Sequence, residues 1–376
     1  MKLFEYQVKR LFADSDIPIP PSILIEDEGK LHETVVKIGF PCVLKAQVLT
    51  GGRGKAGLVR LVKDLTEAET VASALFSSPV NIHGVLVEKA IEFDREIYLA
   101  IVMDAVTGNA LLMGCSDGGI DIEQIAVEMP ERIVKEQINL NKGLMAFQLN
   151  DFVFRLGFQD KAFQNIKKIV GRMYKIFRNM DAELCEINPL FMIGDGNIVA
   201  GDGKLNIDDN SMSLHPEYEK SRVHYNSDME YEAAKEGIPY IEFGGDISLM
   251  CAGAGLANTV YDLVHYMGGT VKNYLEFGGP HYKKAKTAMR LCLENHPKVI
   301  LIVTFGTIAR ADVIAEGIVE AVRDLKPNCP IVACLRGTGE EHVDKIFEHV
   351  SMLHRRGDTE EAVRHAVAIA FEGREK

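Results

Sequence analysis

The sequence contains no tryptophan, no Cys-x-x-Cys pair and no long apolar run. Its seven cysteines are scattered along the chain: Cys42, Cys115, Cys185, Cys251, Cys292, Cys329 and Cys334. Zinc sites need clustered Cys or His ligands, and disulfides form mainly in oxidising compartments, so we predict buried free thiols in a reducing compartment. Without about 18 consecutive apolar residues, no membrane-spanning helix is predicted.

The sequence also has fewer positively charged than negatively charged residues. There are 42 Lys and Arg residues against 54 Asp and Glu, which gives a formal net charge of −12. This balance argues against non-specific binding to nucleic acid or to an anionic membrane. Residues 1–6 carry early charges and lack the apolar core of a signal peptide, so we expect a cytoplasmic protein, or an organelle-matrix protein without its transit peptide.

The length of 376 residues predicts two or three domains, and strand patterns dominate the first half of the chain. Residues 2–13 have helical periodicity, and the proline-rich stretch 17–21 ends that helix. A long helical region is predicted over about 151–180. Strands separated by short turns, as in an antiparallel sheet, are predicted at 41–48, 57–62, 85–88, 96–103 and 110–115.

The second half repeats a different pattern. The polar stretch of about 208–237 is predicted to be a linker between domains 1–235 and 238–376. Beyond it, short apolar runs are each followed by a glycine-bearing turn and a helical stretch, which indicates a doubly wound parallel sheet. The runs are 248–251, 271–277, 299–304, 331–335 and 350–353. Ligands of such sheets bind beyond the carboxyl ends of the strands.

A lysine and a glycine loop suggest a phosphate site in the first domain. Lys45 lies in an otherwise apolar strand, where an unpaired ammonium is costly to bury. A bound phosphate would pair with this ammonium. The open alternative is that Lys45 is a surface lysine whose ammonium reaches solvent. The loop Gly51, Gly52, Arg53 and Gly54 follows, and glycines let backbone amides approach phosphates closely.

Acidic residues supply candidate contacts to a sugar and a metal. Glu88 and Glu96 could accept hydrogen bonds from a nucleotide, or be an ordinary solvated strand end and strand position. Glu186 and Asn188 are two residues apart and so share one face of a strand. Asn188 and Asp202 together offer the oxygen ligands that Mg²⁺ prefers, although Asn-Pro and Asp-Gly are also common turn dipeptides.

The second domain contains no full dinucleotide fingerprint. Asn258 stands where the third glycine after Gly253 and Gly255 would be, so a nicotinamide cofactor is not expected. His281 is the only histidine in a predicted ligand loop.

Several motifs, in the same order along nearly the whole chain, resemble the β subunit of succinyl-CoA synthetase. They lie at 3–7, 45–48, 51–57, 186–189 and 202–205. The resemblance implies an α/β protein: an α+β ATP-grasp domain followed by a flavodoxin-like CoA-ligase domain. It implies a nucleoside-triphosphate-dependent carboxylate–CoA ligase that acts through an acyl phosphate and a phosphohistidine.

The resemblance also implies that the chain is half of an enzyme, in an α/β heterodimer or heterotetramer. The phosphohistidine and most of the CoA site belong to the α subunit. In this family Asn188 and Asp202 would bind Mg²⁺, and Glu186 would orient the phosphohistidine. ATP is the expected nucleotide, because Pro20 matches the pattern of ATP-using members. GTP is the alternative. The nucleotide would contact Lys45, Gly51, Gly52, Arg53, Gly54, Glu88 and Glu96.

Departures from the succinate-using members fall in the loops that face the acid. Ala252 replaces an asparagine, and a Gly-Gly-Ile-Val-Arg loop reads Gly306, Thr307, Ile308, Ala309 and Arg310 here. A Gly-Gly-Gly-Ala loop ends in Pro280 and His281 instead. Because a pocket built around particular hydrogen bonds discriminates against substrates that lack their partners, we predict a related small acid: a hydroxylated dicarboxylate, a tricarboxylate or a sulfonated acid.

Two other functions remain open from the sequence. One is an ATP-grasp carboxylate–amine ligase, which would not use CoA. The other is a nucleotide-binding regulatory subunit without turnover. The repeated strand–helix units after residue 240 favour the CoA ligase.

Overall fold

A computed structural model describes residues 1–80, 82–118, 122–277, 284–306 and 310–372. The chain divides into two compact units, Met1–Lys220 and Ser221–Lys376. No helix in these described ranges is both long and apolar enough to cross a membrane. All seven cysteines are buried free thiols, as predicted.

The first unit contains two antiparallel sheets. One has the strand order β1-β4-β2-β3, and the other has the order β10-β8-β5-β6-β7 with β9 paired to β8. The elements in chain order are α1 (Glu5–Asp14), β1 (Ser22–Ile25), α2 (Leu31–Ile38), β2 (Cys42–Ala46), β3 (Val59–Val62), α3 (Leu65–Phe76), β4 (Val85–Lys89), β5 (Arg95–Asp104), β6 (Asn109–Cys115), α4 (Ile122–Glu128), β7 (Val134–Ile138), α5 (Ala146–Arg155), α6 (Asp160–Asn179), β8 (Ala182–Ile193), β9 (Asn197–Ala200) and β10 (Lys204–Ile207).

Alternation along β5 shows how the larger sheet uses its two faces. Ile97, Leu99 and Ile101 point into a large core formed with α1, α5 and α6. Tyr98 and Ala100 point to the opposite face, where the apolar cluster is much smaller. Because successive strand residues alternate between faces, the second face is available to polar side chains.

The region predicted to be helical over about 151–180 is helical, and it consists of two helices rather than one. α5 ends at Arg155, and Gly157 follows with a φ of 81°. A positive φ is incompatible with a continuing right-handed helix and is adopted readily by glycine. Helical periodicity on both sides of the break concealed it in the sequence.

The second unit is a six-stranded sheet in the order β11-β13-β12-β14-β15-β16. β11 is antiparallel to β13, and the other pairs are parallel. The elements are α7 (Asp228–Lys235), β11 (Tyr240–Glu242), β12 (Ile247–Cys251), α8 (Ala254–Tyr266), β13 (Val271–Leu275), α9 (Ala285–Glu294), β14 (Val299–Gly306), α10 (Ala311–Leu325), β15 (Ile331–Gly337), α11 (Val343–Phe347), β16 (Leu353–Arg355) and α12 (Thr359–Glu372).

Helices cover both faces of this sheet, with α9 and α10 on one side and α8 and α12 on the other. The predicted α/β class and the five strand–helix units are therefore confirmed. The last strand starts at Leu353 rather than at residue 350. Val350 lies in a turn, where its amide donates to the Phe347 carbonyl at 2.9 Å. The segment predicted as a linker contains α7, whose Ala233 is buried.

Candidate functional site

Lys45, on β2, is buried, with a relative exposure of 7%. Its Nζ donates to Glu5 Oε1 at 2.9 Å and to the Gly201 carbonyl at 2.7 Å, and it lies 2.8 Å from Glu88 Oε1. Burial lowers the pKa of Lys45, but the neighbouring carboxylates outweigh it and hold the pKa above its usual value. The surface-lysine alternative is wrong: this side chain is buried and connects β2 to α1, to β4 and to the segment between β9 and β10.

The glycine loop joins β2 and β3 as a hairpin, not as the strand-to-helix turn of a P-loop. Gly51, Gly52 and Gly54 are exposed, and a side-chain carbon added to any of them would meet no atom within 4 Å. Gly52 has a φ of 74°, which an ordinary side chain disfavours. The loop therefore presents accessible backbone to the space beside it.

Arg53 turns back from this loop and bridges two carboxylates. Its Nη1 donates to Glu5 Oε2 at 2.6 Å, and its Nη2 lies 2.8 and 2.6 Å from the two Asp202 oxygens. The side chain is 11% exposed. One guanidinium thus connects α1 to the segment between β9 and β10.

Glu88, on β4, is buried and paired with Lys9 and Lys45. The alternative of a solvated strand end is therefore wrong. Because each carboxylate oxygen already accepts from a lysine, its influence on a nucleotide would run through those lysines. Glu96, in contrast, lies near the start of β5 with its side chain partly exposed, and partial burial raises its carboxyl pKa.

β8 carries Glu186 and Asn188, and both are half-buried, whereas Cys185 and Ile187 lie in the core. Glu186 is opposite Ala100 on one neighbouring strand and Lys204 on the other, which puts it on the less covered face. The register with β5 shifts at Asn188 and Pro189, whose peptide bond is cis. Such bulges re-aim side chains and are frequent beside active sites.

Asp202 lies next to this bulge. The amides of Gly201 and Asp202 donate to the Pro189 carbonyl at 2.9 and 3.4 Å. Gly203 follows, and an added side-chain carbon there would lie 2.5 Å from Phe12 Cε2, so only glycine fits.

The oxygens of Asn188 and Asp202 fit Mg²⁺, which keeps waters and phosphates and needs few protein ligands. No group of three or more potential His, Cys, Asp or Glu ligands occurs in the described part of the chain. Asp202 already interacts with a cation, the Arg53 guanidinium, which is consistent with a position suited to positive charge.

Two charged residues of this site were missed from the sequence. Glu5 and Lys9 lie on the buried side of α1 together with Val8 and Phe12. The helical periodicity predicted over residues 2–13 did not indicate that charged residues share the buried face. The available signal was that Glu5 lies three residues before Val8 and Lys9 lies three residues before Phe12, because positions three apart share a helix face.

In the second unit, Ala252 and Gly306 lie at the carboxyl ends of neighbouring strands. The Ala252 amide donates to the Val303 carbonyl at 3.0 Å, and Gly306 ends β14. Thr304, missed as a candidate, is buried on β14, and its hydroxyl has no hydrogen-bond partner in the described residues. The predicted substrate residues His281, Thr307, Ile308 and Ala309 lie outside the described residues.

Comparison with known families gives the class of protein. Residues 2–192 match the ATP-grasp domain family, and residues 250–368 match the CoA-ligase family. An ATP-grasp domain followed by a CoA-ligase domain defines an ATP-grasp acyl-CoA ligase subunit. This combination favours a CoA ligase over a carboxylate–amine ligase.

Full-length relatives define the family more closely. The chain is 51% identical to the ADP-forming sulfoacetate-CoA ligase subunit SqwK of Acholeplasma sp. and 48% identical to subunit SauC of Bilophila wadsworthia. These alignments cover 98% of this chain and 92% and 99% of the relatives. The Ignicoccus hospitalis succinate–CoA ligase [ADP-forming] subunit beta is 39% identical over 98% of this chain and 99% of its own length. The chain belongs to the succinate–CoA ligase beta-subunit family, and the predicted class, one subunit of an acid–thiol ligase, is confirmed.

A solved structure agrees with this fold. ATP citrate lyase from Methanothrix soehngenii superimposes with a TM-score of 0.76, at 18% identity, over 99% of both chains. At that identity the similarity concerns the fold alone.

Proposed function

We propose that this chain is the nucleotide-handling subunit of an ADP-forming ligase that activates sulfoacetate. The proposed reaction is sulfoacetate, CoA and ATP giving sulfoacetyl-CoA, ADP and phosphate. The observation that supports sulfoacetate as the acid is the sequence identity to the relatives. Two sulfoacetate-CoA ligase subunits are 51% and 48% identical to this chain, and a succinate–CoA ligase beta subunit is 39% identical. An α subunit would supply the phosphohistidine and most of the CoA site, in a heterodimer or heterotetramer.

The altered strand ends support this acid. Succinate and sulfoacetate both carry an acyl-forming carboxylate and a second anionic group, but a sulfonate is tetrahedral and bulkier than a planar carboxylate. Ala252 lacks the amide of the asparagine found in succinate-using members and occupies less space. His281, Gly306, Thr307, Ile308 and Ala309 are proposed to complete the pocket. Sites that recognise particular polar groups discriminate strongly between such substrates.

The nucleotide half is proposed to use the first unit. Lys45, Arg53 and the amides of the glycine loop would bind the phosphates, and Glu96 would contact the remainder of the nucleotide. Glu88 would act through Lys45, and Glu186 would orient the histidine of the α subunit. Asn188 and Asp202 would hold Mg²⁺, which when bound offsets phosphate charge.

Phosphoryl transfer depends mainly on positioning and charge stabilisation. In the proposed step, the bond from the γ-phosphorus to the ADP oxygen breaks, and a bond to a histidine nitrogen of the α subunit forms. The phosphoryl group then passes to the substrate carboxylate, and CoA displaces phosphate from the acyl phosphate. Lys45 and Arg53 would contribute by holding the triphosphate in line with the histidine.

The test is a steady-state assay of this chain purified together with its α partner. ADP release is measured with ATP, CoA and either sulfoacetate or succinate as the acid. We expect the larger kcat/KM with sulfoacetate and the formation of sulfoacetyl-CoA by mass spectrometry. A larger kcat/KM with succinate would reject sulfoacetate as the preferred acid. ADP release that does not depend on CoA would reject the proposal that the enzyme is a CoA ligase.

A further inference from the structure

Six charged side chains meet where α1, β2, β4, the glycine loop and the β9–β10 connection come together. Three are anionic and three are cationic, so the group is formally neutral. The members are Glu5, Lys9, Lys45, Arg53, Glu88 and Asp202. An isolated charge in such a buried position would be costly, and each of these has at least one partner of opposite charge.

Glu5 is the central member of this group. It is 3% exposed, and its two oxygens hold different cations. Oε1 accepts from Lys45 at 2.9 Å, and Oε2 accepts from Arg53 at 2.6 Å. Lys9 Nζ lies 3.3 Å from Glu5 Oε1 and also pairs with Glu88, so it places a positive charge between these two carboxylates. One carboxylate on a packed helix therefore sets the spacing between a strand lysine and a loop arginine.

Arg53 has two anchors, and a metal would compete for one of them. Its Nη2 contacts the Asp202 oxygens, the same oxygens that are proposed to hold Mg²⁺. A cation on Asp202 would repel the guanidinium and replace its hydrogen bonds. Glu5 is then the remaining carboxylate partner of Arg53. Glu5 belongs to a helix whose Val8 and Phe12 are fully buried, so it is a fixed anchor for a side chain that a glycine-rich loop carries.

We propose that Glu5 is a positioning residue for the nucleotide half-reaction: it retains Arg53 beside Lys45 when Mg²⁺ occupies Asp202. This inference rests on the proposed function. Glu5 does not contact the nucleotide; it orients the two side chains that do. Lys9 pairs with both Glu5 and Glu88 and brings the third positive charge against three carboxylates, so that the formally neutral cluster does not repel an anionic ligand.

The test measures binding of the non-hydrolysable analogue β,γ-imido-ATP to the full-length chain by calorimetry, with Mg²⁺ and with EDTA. Glu5→Gln removes the charge and one acceptor. With Mg²⁺ we expect the affinity of this variant to fall about tenfold or more, the amount expected for a charge-assisted hydrogen bond. In EDTA the fall should be clearly smaller, because Asp202 still holds Arg53. Glu33→Gln, which removes a carboxylate from the exposed pair with Lys37, is the matched control and should bind as the unaltered chain does.

The comparison between the two conditions separates positioning from folding. A purely structural role of Glu5 would reduce affinity by the same factor with and without Mg²⁺, and that result, or no loss at all, overturns the inference. If Glu5→Gln does not fold, the neutral double variant Glu5→Gln/Lys9→Met and the conservative Glu5→Asp replace it, and Glu5→Asp should lose less affinity than the double variant. Failure of the unaltered chain to bind the analogue would instead overturn the proposed function.

Discussion

The Nη2 of Arg53 lies within hydrogen-bonding distance of both oxygens of Asp202, at 2.8 and 2.6 Å. The two residues are 149 positions apart in the chain. The proposed metal ligand is therefore already neutralised by a side chain of the proposed phosphate loop. This relationship would couple the two halves of the proposed site, because a metal bound to Asp202 would compete with Arg53 for the same oxygens.

Removing this competitor should increase the affinity of Asp202 for a divalent cation. For Arg53→Ala without nucleotide we expect Mn²⁺ to bind about tenfold more tightly, measured by the loss of the free Mn²⁺ signal in electron paramagnetic resonance. Arg290→Ala is the control, since Arg290 belongs to the second unit and pairs with the exposed Glu294 of its own helix, α9. Unchanged Mn²⁺ affinity in Arg53→Ala would show that Arg53 does not shield the site.

Neutralising Asp202 should strongly slow phosphoryl transfer without unfolding the chain. In Asp202→Asn we expect transfer from ATP to the histidine of the α partner to slow by about 10²-fold or more, because charge stabilisation of this kind is a major term in catalysis. Transfer is measured with ³²P-labelled ATP, and folding by circular dichroism. Asp195→Asn, in an exposed turn, is the control. Normal labelling of the α partner in Asp202→Asn would mean that the metal site lies elsewhere.

Ala252 is expected to influence which acid is used. Ala252→Asn restores the amide of succinate-using members, so kcat/KM for sulfoacetate should fall by about tenfold or more while that for succinate rises. Both constants are obtained from the ADP-release assay with the α partner. Ala368→Asn, exposed on α12, should leave the ratio unchanged. A ratio that is the same in Ala252→Asn and the unaltered enzyme would contradict a role for this position.

Glu5 should make the stability of the first unit depend on acid pH. Burial alone raises its carboxyl pKa, but Lys45, Lys9 and Arg53 outweigh burial and hold the pKa well below its usual value. A carboxyl with a lowered pKa stabilises fully above its unfolded pKa, and this contribution is lost as the pH falls toward the folded pKa.

The free energy of unfolding in urea should therefore differ by a constant amount between Glu5→Gln and the unaltered chain from pH 8 to about pH 5. Below about pH 4.5 the difference should shrink by about 1.4 kcal/mol per pH unit. The unaltered chain should lose stability faster there, because the glutamine side chain of the variant cannot take up a proton. Curves that remain parallel down to pH 3.5 would contradict the charged, paired state of Glu5.

Gly337 should be required for the fold of the second unit. Its φ is 114°, and an added side-chain carbon would lie 1.9 Å from the Gly306 carbonyl oxygen. Gly337→Ala should therefore lower the free energy of unfolding by about 3 kcal/mol or more. Gly357→Ala meets no atom within 4 Å and should stay within about 0.5 kcal/mol of the unaltered chain. Equal effects of the two substitutions in urea unfolding would show that the close approach is relieved at little cost.

Local patterns predicted much of the fold. Apolar runs separated by short turns located β2, β4, β5 and β6, and the repeated run, glycine turn and helical stretch after residue 240 predicted five parallel strand–helix units. The short edge strand Tyr240–Glu242 was missed, because three residues are too few to show a period. The break at Gly157 was missed because the sequence is helical on both sides of it.

The candidate site was predicted in part. Unusual residue types in otherwise regular patterns, such as Lys45 in an apolar strand, were recognisable from the sequence. Glu88 was not recognised as a buried partner of two lysines, since a carboxylate at the end of a strand is ordinarily solvated. The roles of Glu5 and Lys9 were also hidden, because charged residues usually occupy the exposed side of a helix.

By itself, the sequence determined the periodic elements, the glycine hairpin and the family, since these depend on neighbouring residues and on motif order. Only the tertiary structure decided which charges meet. Glu5 and Lys45 are 40 positions apart, and Lys45 and Gly201 are 156 positions apart. Their pairing follows from the packing of α1 and two sheets, because a buried charge must find whichever opposite charge or polar group the fold brings within reach.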